Sequence, residues 1–260
     1  MATHQVTLAV AEGIVANPDN PIEEVGARFL KWYRSRPKDI GATCSASITR
    51  AATLATGNIS SKPLSVIDKP SEGNWYQASA YTARRNGNRS GGNGALMRTV
   101  YPGLFYKERL EAVETATAIA QMTHYDKNSN EACETYTDMI YLITVERQFS
   151  LLGIEQLLEG TQYSADQMYR YEPNPTGYVV DSMKCALACF RSTTSFEDTI
   201  VKAANLGGDA DTIAAITGGL AGAFYGYSAI PKRWTAALAP DIRMRLDGIA
   251  DAAFVNRTAK

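Results

Sequence analysis

The chain has 260 residues, of which 45% are hydrophobic and 20% are charged, and its formal net charge is −1. That length and apolar content suffice for one domain with its own core. The near-neutral charge favours neither nucleic acid nor an anionic membrane as a partner. Four scattered cysteines do not form a disulfide framework, which predicts a reducing, cytoplasmic location. The start lacks a basic cluster and no apolar run is long enough to span a bilayer, so neither a secretory signal nor a membrane span is predicted.

The spacing of apolar residues predicts an all-α protein. Apolar side chains return every three or four residues, and strand-like alternation is scarce. Asn20 and Ser195 are predicted as N-caps of helices that continue through Tyr33 and Val201. The other predicted helices, in chain order, span residues 5–16, 43–56, 107–122, 130–146, 149–159, 178–190, 209–225 and 231–250.

The least regular stretch runs from Gly57 to Gly94 and ends in a glycine-rich turn. Long irregular segments in compact domains are usually functional or mobile. Backbone N–H groups at such turns bind anions. The turn and the arginines near it comprise Ser90, Gly92, Asn93, Gly94, Arg84, Arg85, Arg89 and Arg98. The segment fits a phosphate cradle or a flexible loop with solvated arginines, and the residues alone favour the loop.

Residues 207–212, Gly-Gly-Asp-Ala-Asp-Thr, form an acidic helix start. Two glycines permit a sharp turn, and Asp209, Asp211 and Thr212 follow it. Carboxylates this close repel each other unless a cation or strong donors neutralise them, and oxygen ligands suit Mg²⁺ or Mn²⁺. The alternative is an ordinary Asp N-cap with a second acid favoured by the helix dipole. Glycines inside the following helix predict close packing that holds its acidic end rigidly.

Two further kinds of residue are candidates for ligand contact. His124 follows a helical segment, where it either donates to a ligand phosphate or hydroxyl or merely suits the helix C-terminus. Tyr101, Tyr106 and Tyr178 lie near predicted loops and are candidates for stacking on a base, against ordinary packing.

Five motifs, taken in order, resemble the ADP-ribosylglycohydrolase family. They are residues 92–98 (GNGALMR), 123–124 (TH), 177–182 (GYVVDS), 195–198 (SFED) and 206–226. The resemblance extends from about Val6 to Trp234 and implies the fold of that family, a compact orthogonal multi-helix bundle. It also implies hydrolysis, with Mg²⁺ or Mn²⁺, of the glycosidic bond between ADP-ribose and a protein side chain or small acceptor.

The resemblance also assigns residues. It implies that Asp209, Asp211 and Thr212 bind metal and that the two aspartates serve catalysis. The ligand-binding positions it implies, for the diphosphate and ribose of ADP-ribose, are Ser90, Gly92, Asn93, Gly94 and His124.

The chain departs from the family pattern at its start. Family members carry a Gly-Asp-x-x-Gly helix and an Asp-Asp metal motif before the helix that Val6-Thr7-Leu8-Ala9 matches. Residues 1–4, Met-Ala-Thr-His, stand where the aspartate pair is expected. We therefore expect a single domain over residues 1–260 that lacks this helix and motif, and one metal ion instead of two.

Three interpretations remain open at this point. One is a hydrolase that acts on ADP-ribosylated protein or on a small ADP-ribose conjugate. Another is an inactive homologue that binds ADP-ribose or a protein partner as an inhibitor or regulator. The third places the true start of the protein upstream of Met1.

Overall fold

The structure, a computed structural model, describes residues 2–56, 69–145, 150–169 and 171–259. Within these ranges the chain is α-helical, and its only β-type pairing is one isolated bridge between Gly92 and Tyr178. The all-α prediction is therefore confirmed. No helix in this part of the chain is long and apolar enough to cross a bilayer.

The α-helices are, in chain order, α1 (Ala2–Ala16), α2 (Ile22–Arg34), α3 (Ala42–Ala55), α4 (Glu72–Arg85), α5 (Val100–Phe105), α6 (Arg109–Gln121), α7 (Lys127–Val145), α8 (Leu151–Leu158), α9 (Ala165–Met168), α10 (Val179–Arg191), α11 (Phe196–Ala204), α12 (Ala210–Tyr225), α13 (Lys232–Ala236) and α14 (Pro240–Thr258). Short 3-10 helices form at Leu96–Arg98 and Tyr227–Ala229.

The predicted N-caps have different outcomes. Ser195 caps α11 as expected, because its side chain accepts a hydrogen bond from the backbone N–H of Asp198. The prediction for Asn20 was wrong, because Pro21 occupies the N-cap position of α2 and makes no side-chain cap. The helix begins one residue later than the capping pattern indicates, and Pro21 at its N-cap has φ −78° and ψ −14°.

The prediction of an irregular segment over residues 57–94 was wrong in its middle. Residues 57–68 lie outside the described ranges, but α4 follows them, and Ser71 and Asn74 form a capping box at its start. Trp75 on α4 is fully buried and meets the ring of Phe29 edge to face, with centroids 6.3 Å apart. Burial of a side chain of this size contributes about 3 kcal/mol, which outweighs the weak helical pattern of the segment.

The predicted helix over residues 231–250 is two helices. α13 ends at Ala236, and Pro240 begins α14. A proline cannot continue a helix because it lacks an N–H and its ring clashes with the preceding turn, but it fits the first helical position.

The two largest apolar clusters of the described residues meet at the segment after the glycine-rich turn. One cluster gathers side chains from α1, α2, α3, α4, α5, α6 and α14, and the other from α6, α7, α8, α10, α11 and α12. Met97 and Leu104 pack against both clusters. The turn at residues 90–94 is therefore held where the two halves of the core join.

α12 and α7 approach each other through a glycine, as the sequence predicts. A Cβ added at Gly219 would overlap the hydroxyl oxygen of Tyr136, which donates to the carbonyl of Ile216 at 2.8 Å. A Cβ at Gly218 or Gly222 would make ordinary contacts at 3.5 and 3.9 Å. Only one of the three glycines is thus required by close packing, and it anchors the helix that carries the acidic start.

Candidate active site

The glycine-rich turn is tied to the start of α10. The backbone N–H of Asn93 donates to the carbonyl of Gly177 at 3.0 Å, and that of Val179 donates to Gly91 at 2.8 Å. These two bonds form the isolated bridge, and they bring residues 177–179 beside a turn that lies far away in sequence. The two hydrogen bonds therefore fix the position of the turn, and part of its backbone faces a cavity.

The acidic turn requires a glycine at position 208. Gly208 has φ +55°, and a Cβ there would overlap the carbonyl oxygen of Pro175. The same carbonyl accepts a hydrogen bond from the backbone N–H of Asp209 at 2.9 Å. The left-handed φ and the close carbonyl of Pro175 are both compatible only with glycine at position 208. The backbone conformation immediately before Asp209 is therefore well defined.

The carboxylate of Asp209 is held by two side-chain donors. Its Oδ2 accepts from Asn93 Nδ2 at 2.5 Å, and its Oδ1 accepts from the hydroxyl of Thr212 at 3.0 Å. Asn93 also donates to the hydroxyl oxygen of Ser182 at 2.8 Å. Asp209 occupies the N-cap position of α12, yet its side chain makes no cap hydrogen bond. The N-cap interpretation therefore holds for the position of Asp209 but not for its carboxylate, which is oriented toward the glycine-rich turn.

A cavity of about 320 Å³ brings most of the predicted residues together. Its lining includes Gly92, Asn93, Gly94, His124, Asp209, Asp211 and Thr212. Ser90 is not part of this lining; it is 1% exposed, and its hydroxyl has no hydrogen-bond partner within the described ranges. The cavity volume lies within the usual range for small-molecule sites.

Asp39 lines the same cavity and was missed by sequence reasoning. It lies in the loop between α2 and α3, and the lining continues from it through Cys44 at the start of α3. The side chain of Asp39 is exposed, so it reaches solvent and cavity alike. The only sequence signal for Asp39 is that it is a polar residue in a short loop between two helices. Such residues are too common for this signal to identify a site residue. The tertiary fold adds a third carboxylate to the site.

The predicted arginine cluster is dispersed in the structure. Arg98 is 1% exposed and donates to the carbonyl of Ile119 at 3.0 Å and to the hydroxyl of Thr123 at 2.7 Å, and its guanidinium lies over the Phe29 ring. It therefore lies in the core and is not among the residues that line the cavity. Arg84 and Arg85 are exposed in the last turn of α4.

A second cavity of about 490 Å³ adjoins the first. It shares Thr43, Gly92 and Gly177 with it and adds Arg89 and Tyr178. The ring of Tyr178 is 42% exposed, and its hydroxyl accepts a hydrogen bond from Asn128 Nδ2 at 2.9 Å. Tyr101 and Tyr106 are buried in the core at 3% and 2% exposure, so the alternative of ordinary packing applies to both.

His124 is a buried, uncharged side chain. Burial lowers its pKa from 6.5 to about 3, and the positive charge of Arg98 acts in the same direction. The ring is 2% exposed, and its Nδ1 lies 2.8 Å from the hydroxyl oxygen of Thr123. At neutral pH it therefore offers a ligand hydrogen bonds but no charge.

The lowered pKa of His124 predicts a pH-dependent stability. The unfolded chain binds a proton on this ring below pH 6.5, whereas the folded protein does not until about pH 3, so stability falls as pH falls through this window. Between pH 7 and pH 5 we expect wild type to lose about 2 kcal/mol more of its unfolding free energy than His124→Asn does. Urea denaturation at both pH values measures it. His4→Asn, which removes the other histidine, should keep most of the wild-type loss; equal losses in wild type and His124→Asn would contradict the assignment.

The acidic turn offers a partial set of metal ligands. Within the described ranges no three His, Cys, Asp or Glu side chains are grouped so that they could hold a metal ion. Asp209, Asp211 and Thr212 nevertheless present two carboxylates and a hydroxyl at one end of the cavity. This donor set fits one hard cation, because Mg²⁺ usually keeps several waters and takes only one or two carboxylates from the protein.

The chain belongs to the ADP-ribosylglycohydrolase family, whose model matches residues 2–260. It is 26% identical over 249 residues to the ADP-ribosyl-[dinitrogen reductase] glycohydrolase of Rhodospirillum rubrum, which covers 95% of this chain and 76% of that protein. It is 29% identical over 239 residues to the ADP-ribosylarginine hydrolase Tri1 of Serratia proteamaculans, covering 88% of this chain and 60% of the relative. A solved structure described as an ADP-ribosylglycohydrolase-related protein complex matches with TM-score 0.76 and 26% identity, over 97% of this chain and 80% of that one. The predicted family and fold type are confirmed.

Proposed function

We propose that this protein hydrolyses the glycosidic bond between ADP-ribose and a protein side chain or small acceptor, with Mg²⁺ or Mn²⁺ bound at Asp209, Asp211 and Thr212. The observation that carries the proposal is the shared cavity, in which the acidic turn, the glycine-rich turn and Asp39 meet. Family membership supports the same chemistry. The names of two relatives, which refer to ADP-ribosyl groups on dinitrogen reductase and on arginine, make an ADP-ribosylated protein the preferred substrate.

The two adjoining cavities suggest how the substrate lies. Gly92 and Gly94 carry no side chains and place the diphosphate against the backbone of the turn. In the second cavity, Tyr178 receives the adenosine end by stacking, and Arg89 receives the adenine base by a cation–π contact. The distal ribose, which carries the scissile bond, then faces Asp209 and the rest of the acidic turn.

The residues of the site have separate roles in the proposed hydrolysis. A metal ion held by Asp209, Asp211 and Thr212 would supply Lewis-acid and template chemistry to the reaction. Asn93 and Thr212 hold the carboxylate of Asp209 in one orientation, so little reorganisation is needed when substrate binds. Asp39 accepts a proton from the attacking water. The water oxygen bonds to C1″ of the ribose and the bond from C1″ to the acceptor atom breaks. The acceptor takes up a proton from solvent, and Asp39 returns its proton to solvent, so the carboxylate is regenerated.

Asp39→Asn tests the role of the third carboxylate. The substitution keeps the shape of the side chain and removes its ability to take a proton, so we expect kcat to fall by about 10²–10⁴-fold with KM little changed. Release of ADP-ribose from ADP-ribosylated arginine and serine peptides measures it, with added Mg²⁺ or Mn²⁺ and with chelator. Asp19→Asn is the matched control, because Asp19 is also an exposed acid in an interhelical loop but lies outside the cavity. Activity within twofold of wild type would remove Asp39 from the mechanism.

A second candidate function is binding of ADP-ribose, or of a protein partner, without turnover, as an inhibitor or regulator. The observation in its favour is that the described residues hold no group of three metal-binding side chains. It predicts ADP-ribose affinity by calorimetry that needs no metal, and no product release at saturating Mg²⁺ or Mn²⁺. Metal-dependent turnover abolished by chelator would decide for the hydrolase.

We also propose that residues 1–260 act as one domain in the cytoplasm. The sharing of Met97 and Leu104 between the two main apolar clusters supports a single unit. All four cysteines, Cys44, Cys133, Cys185 and Cys189, are free and buried, which fits a reducing compartment.

A further inference from the structure

Three side chains form a continuous hydrogen-bonded chain that ends at the candidate active site. Arg98 donates from Nη2 to the hydroxyl oxygen of Thr123 at 2.7 Å, and that oxygen lies 2.8 Å from Nδ1 of His124. All three side chains are at most 2% exposed. Water therefore does not compete for these hydrogen bonds, and their directions follow from which atoms can donate.

The direction of each bond is set by the arginine. A guanidinium only donates, so the hydroxyl oxygen of Thr123 accepts from Arg98. The single hydroxyl proton then needs an acceptor, and within the described ranges the only acceptor recorded for it is Nδ1 of His124. The reverse direction would leave a buried hydroxyl proton unpaired beside a positive charge, which is unfavourable. Thr123 therefore donates to Nδ1.

A ring that accepts at Nδ1 carries its proton on Nε2. The neutral state of the ring is secured separately, because burial and the charge of Arg98 lower the pKa of His124 to about 3. A neutral imidazole has one N–H, and which nitrogen bears it is decided by the bond that the other nitrogen makes. Nε2–H is then a donor whose position does not vary with pH in the neutral range.

The Nε2 edge of the ring faces the glycine-rich turn. A Cβ at Gly92 would lie 3.2 Å from Nε2, and a Cβ at Gly94 would lie 3.5 Å from it. Nε2 has no hydrogen-bond partner recorded in the described part of the chain. The two glycines therefore leave space for a ligand atom where an N–H group has no partner.

We propose that Arg98 and Thr123 are positioning residues that lock His124 in its Nε2–H tautomer, so that the ring donates to an oxygen of the bound substrate. The proposal rests on the proposed function for the substrate, whose diphosphate supplies such an oxygen. A fixed donor selects a ligand oxygen at this position and disfavours a ligand N–H. It also excludes His124 as a general base, because Nδ1 is occupied and Nε2 already holds a proton. Proton transfer is left to the carboxylates.

The nitrogen resonances of His124 test the lock directly, in the free protein and without turnover. The chain has two histidines, so a His4→Gln background leaves one imidazole to observe by ¹⁵N-detected two-bond correlation spectra. We expect protonated-type Nε2 and unprotonated-type Nδ1 signals between pH 6 and pH 8. Thr123→Val removes the hydroxyl while keeping the shape, and we expect a mixture of the two tautomers. Thr123→Ser should restore a single tautomer.

A matched control variant and a kinetic measurement distinguish a positioning role of Thr123 from a general effect of the substitution on protein stability. Thr82 is also buried, and its hydroxyl donates to the carbonyl of Ala78 at 3.0 Å, so Thr82→Val should leave the His124 spectrum unchanged. In turnover, Thr123→Val is expected to raise KM roughly tenfold with kcat within about threefold, and Thr123→Ser to recover KM.

Particular results would overturn the lock. A wild-type spectrum with the proton on Nδ1, or one unchanged by Thr123→Val, removes the positioning role of Thr123. Unchanged His124 nitrogen shifts on saturation with ADP-ribose remove the donated bond. A correct spectrum in a protein that hydrolyses no ADP-ribosylated substrate contradicts the proposed function and leaves the tautomer lock standing. The wild-type spectrum decides even if Thr123→Val does not fold.

Discussion

Asp209→Asn is expected to lower kcat/KM for hydrolysis of an ADP-ribosylated substrate by about 10²–10³-fold, which corresponds to about 3–4 kcal/mol at the transition state. The substitution preserves volume but removes the charge that Asn93 and Thr212 orient toward the cavity. Of the proposed metal ligands, this is the carboxylate whose position is fixed at both oxygens, so its loss should have the larger effect.

The same variant should lose its thermal response to metal. At a concentration near one hundred times its Kd, a Mg²⁺ or Mn²⁺ ion at the proposed site is expected to stabilise the wild type by about 2.7 kcal/mol. For a chain of this size that amounts to a Tm rise of roughly 5–10 °C, and we expect it to vanish in Asp209→Asn. The control is Asp251→Asn, an exposed acid on α14. A metal response and kcat/KM equal to wild type in Asp209→Asn would refute the proposed metal site.

Gly208→Ala is expected to destabilise the protein by about 3 kcal/mol and to reduce activity even in the folded fraction. The added Cβ combines left-handed strain with overlap of the Pro175 carbonyl, and that carbonyl cannot move without loosening the Asp209 backbone. Asp209 would then shift relative to Asn93. Chemical denaturation and kcat/KM of the soluble variant measure the two effects.

The neighbouring glycine supplies the control for this experiment. Gly207 has φ +77°, but a Cβ there would have no neighbour within 4 Å among the described residues. Gly207→Ala should therefore cost only the conformational strain, about 1 kcal/mol, with kcat/KM close to wild type. If the two variants were equally stable and equally active, the overlap with Pro175 would not constrain the acidic turn.

Local patterns predicted the helices whose signals lie within a few residues. Ser195 caps α11 as its sequence indicates, because a cap is a contact across three residues. α4 escaped prediction because its stability comes from the burial of Trp75 against α2, which no pattern inside residues 72–85 records. The N-cap of α2 is Pro21 and not Asn20 for a similar reason. The local sequence allows the helix to begin at either of these adjacent positions, and the surrounding fold determines which one is the N-cap.

The helical class, the family and the two turns at residues 90–94 and 207–212 could be predicted from the amino-acid sequence, because periodicity and contiguous residues carry these signals. The contacts between distant residues became visible in the folded chain. Asn93 donates to Asp209, which lies 116 positions away in the sequence. Asp39 lines the cavity. Arg98 is buried in the core and donates to Thr123, through which we propose that it acts on His124. These contacts depend on how the helices pack against one another. They could not be predicted because no pattern of neighbouring residues in a single sequence specifies that packing.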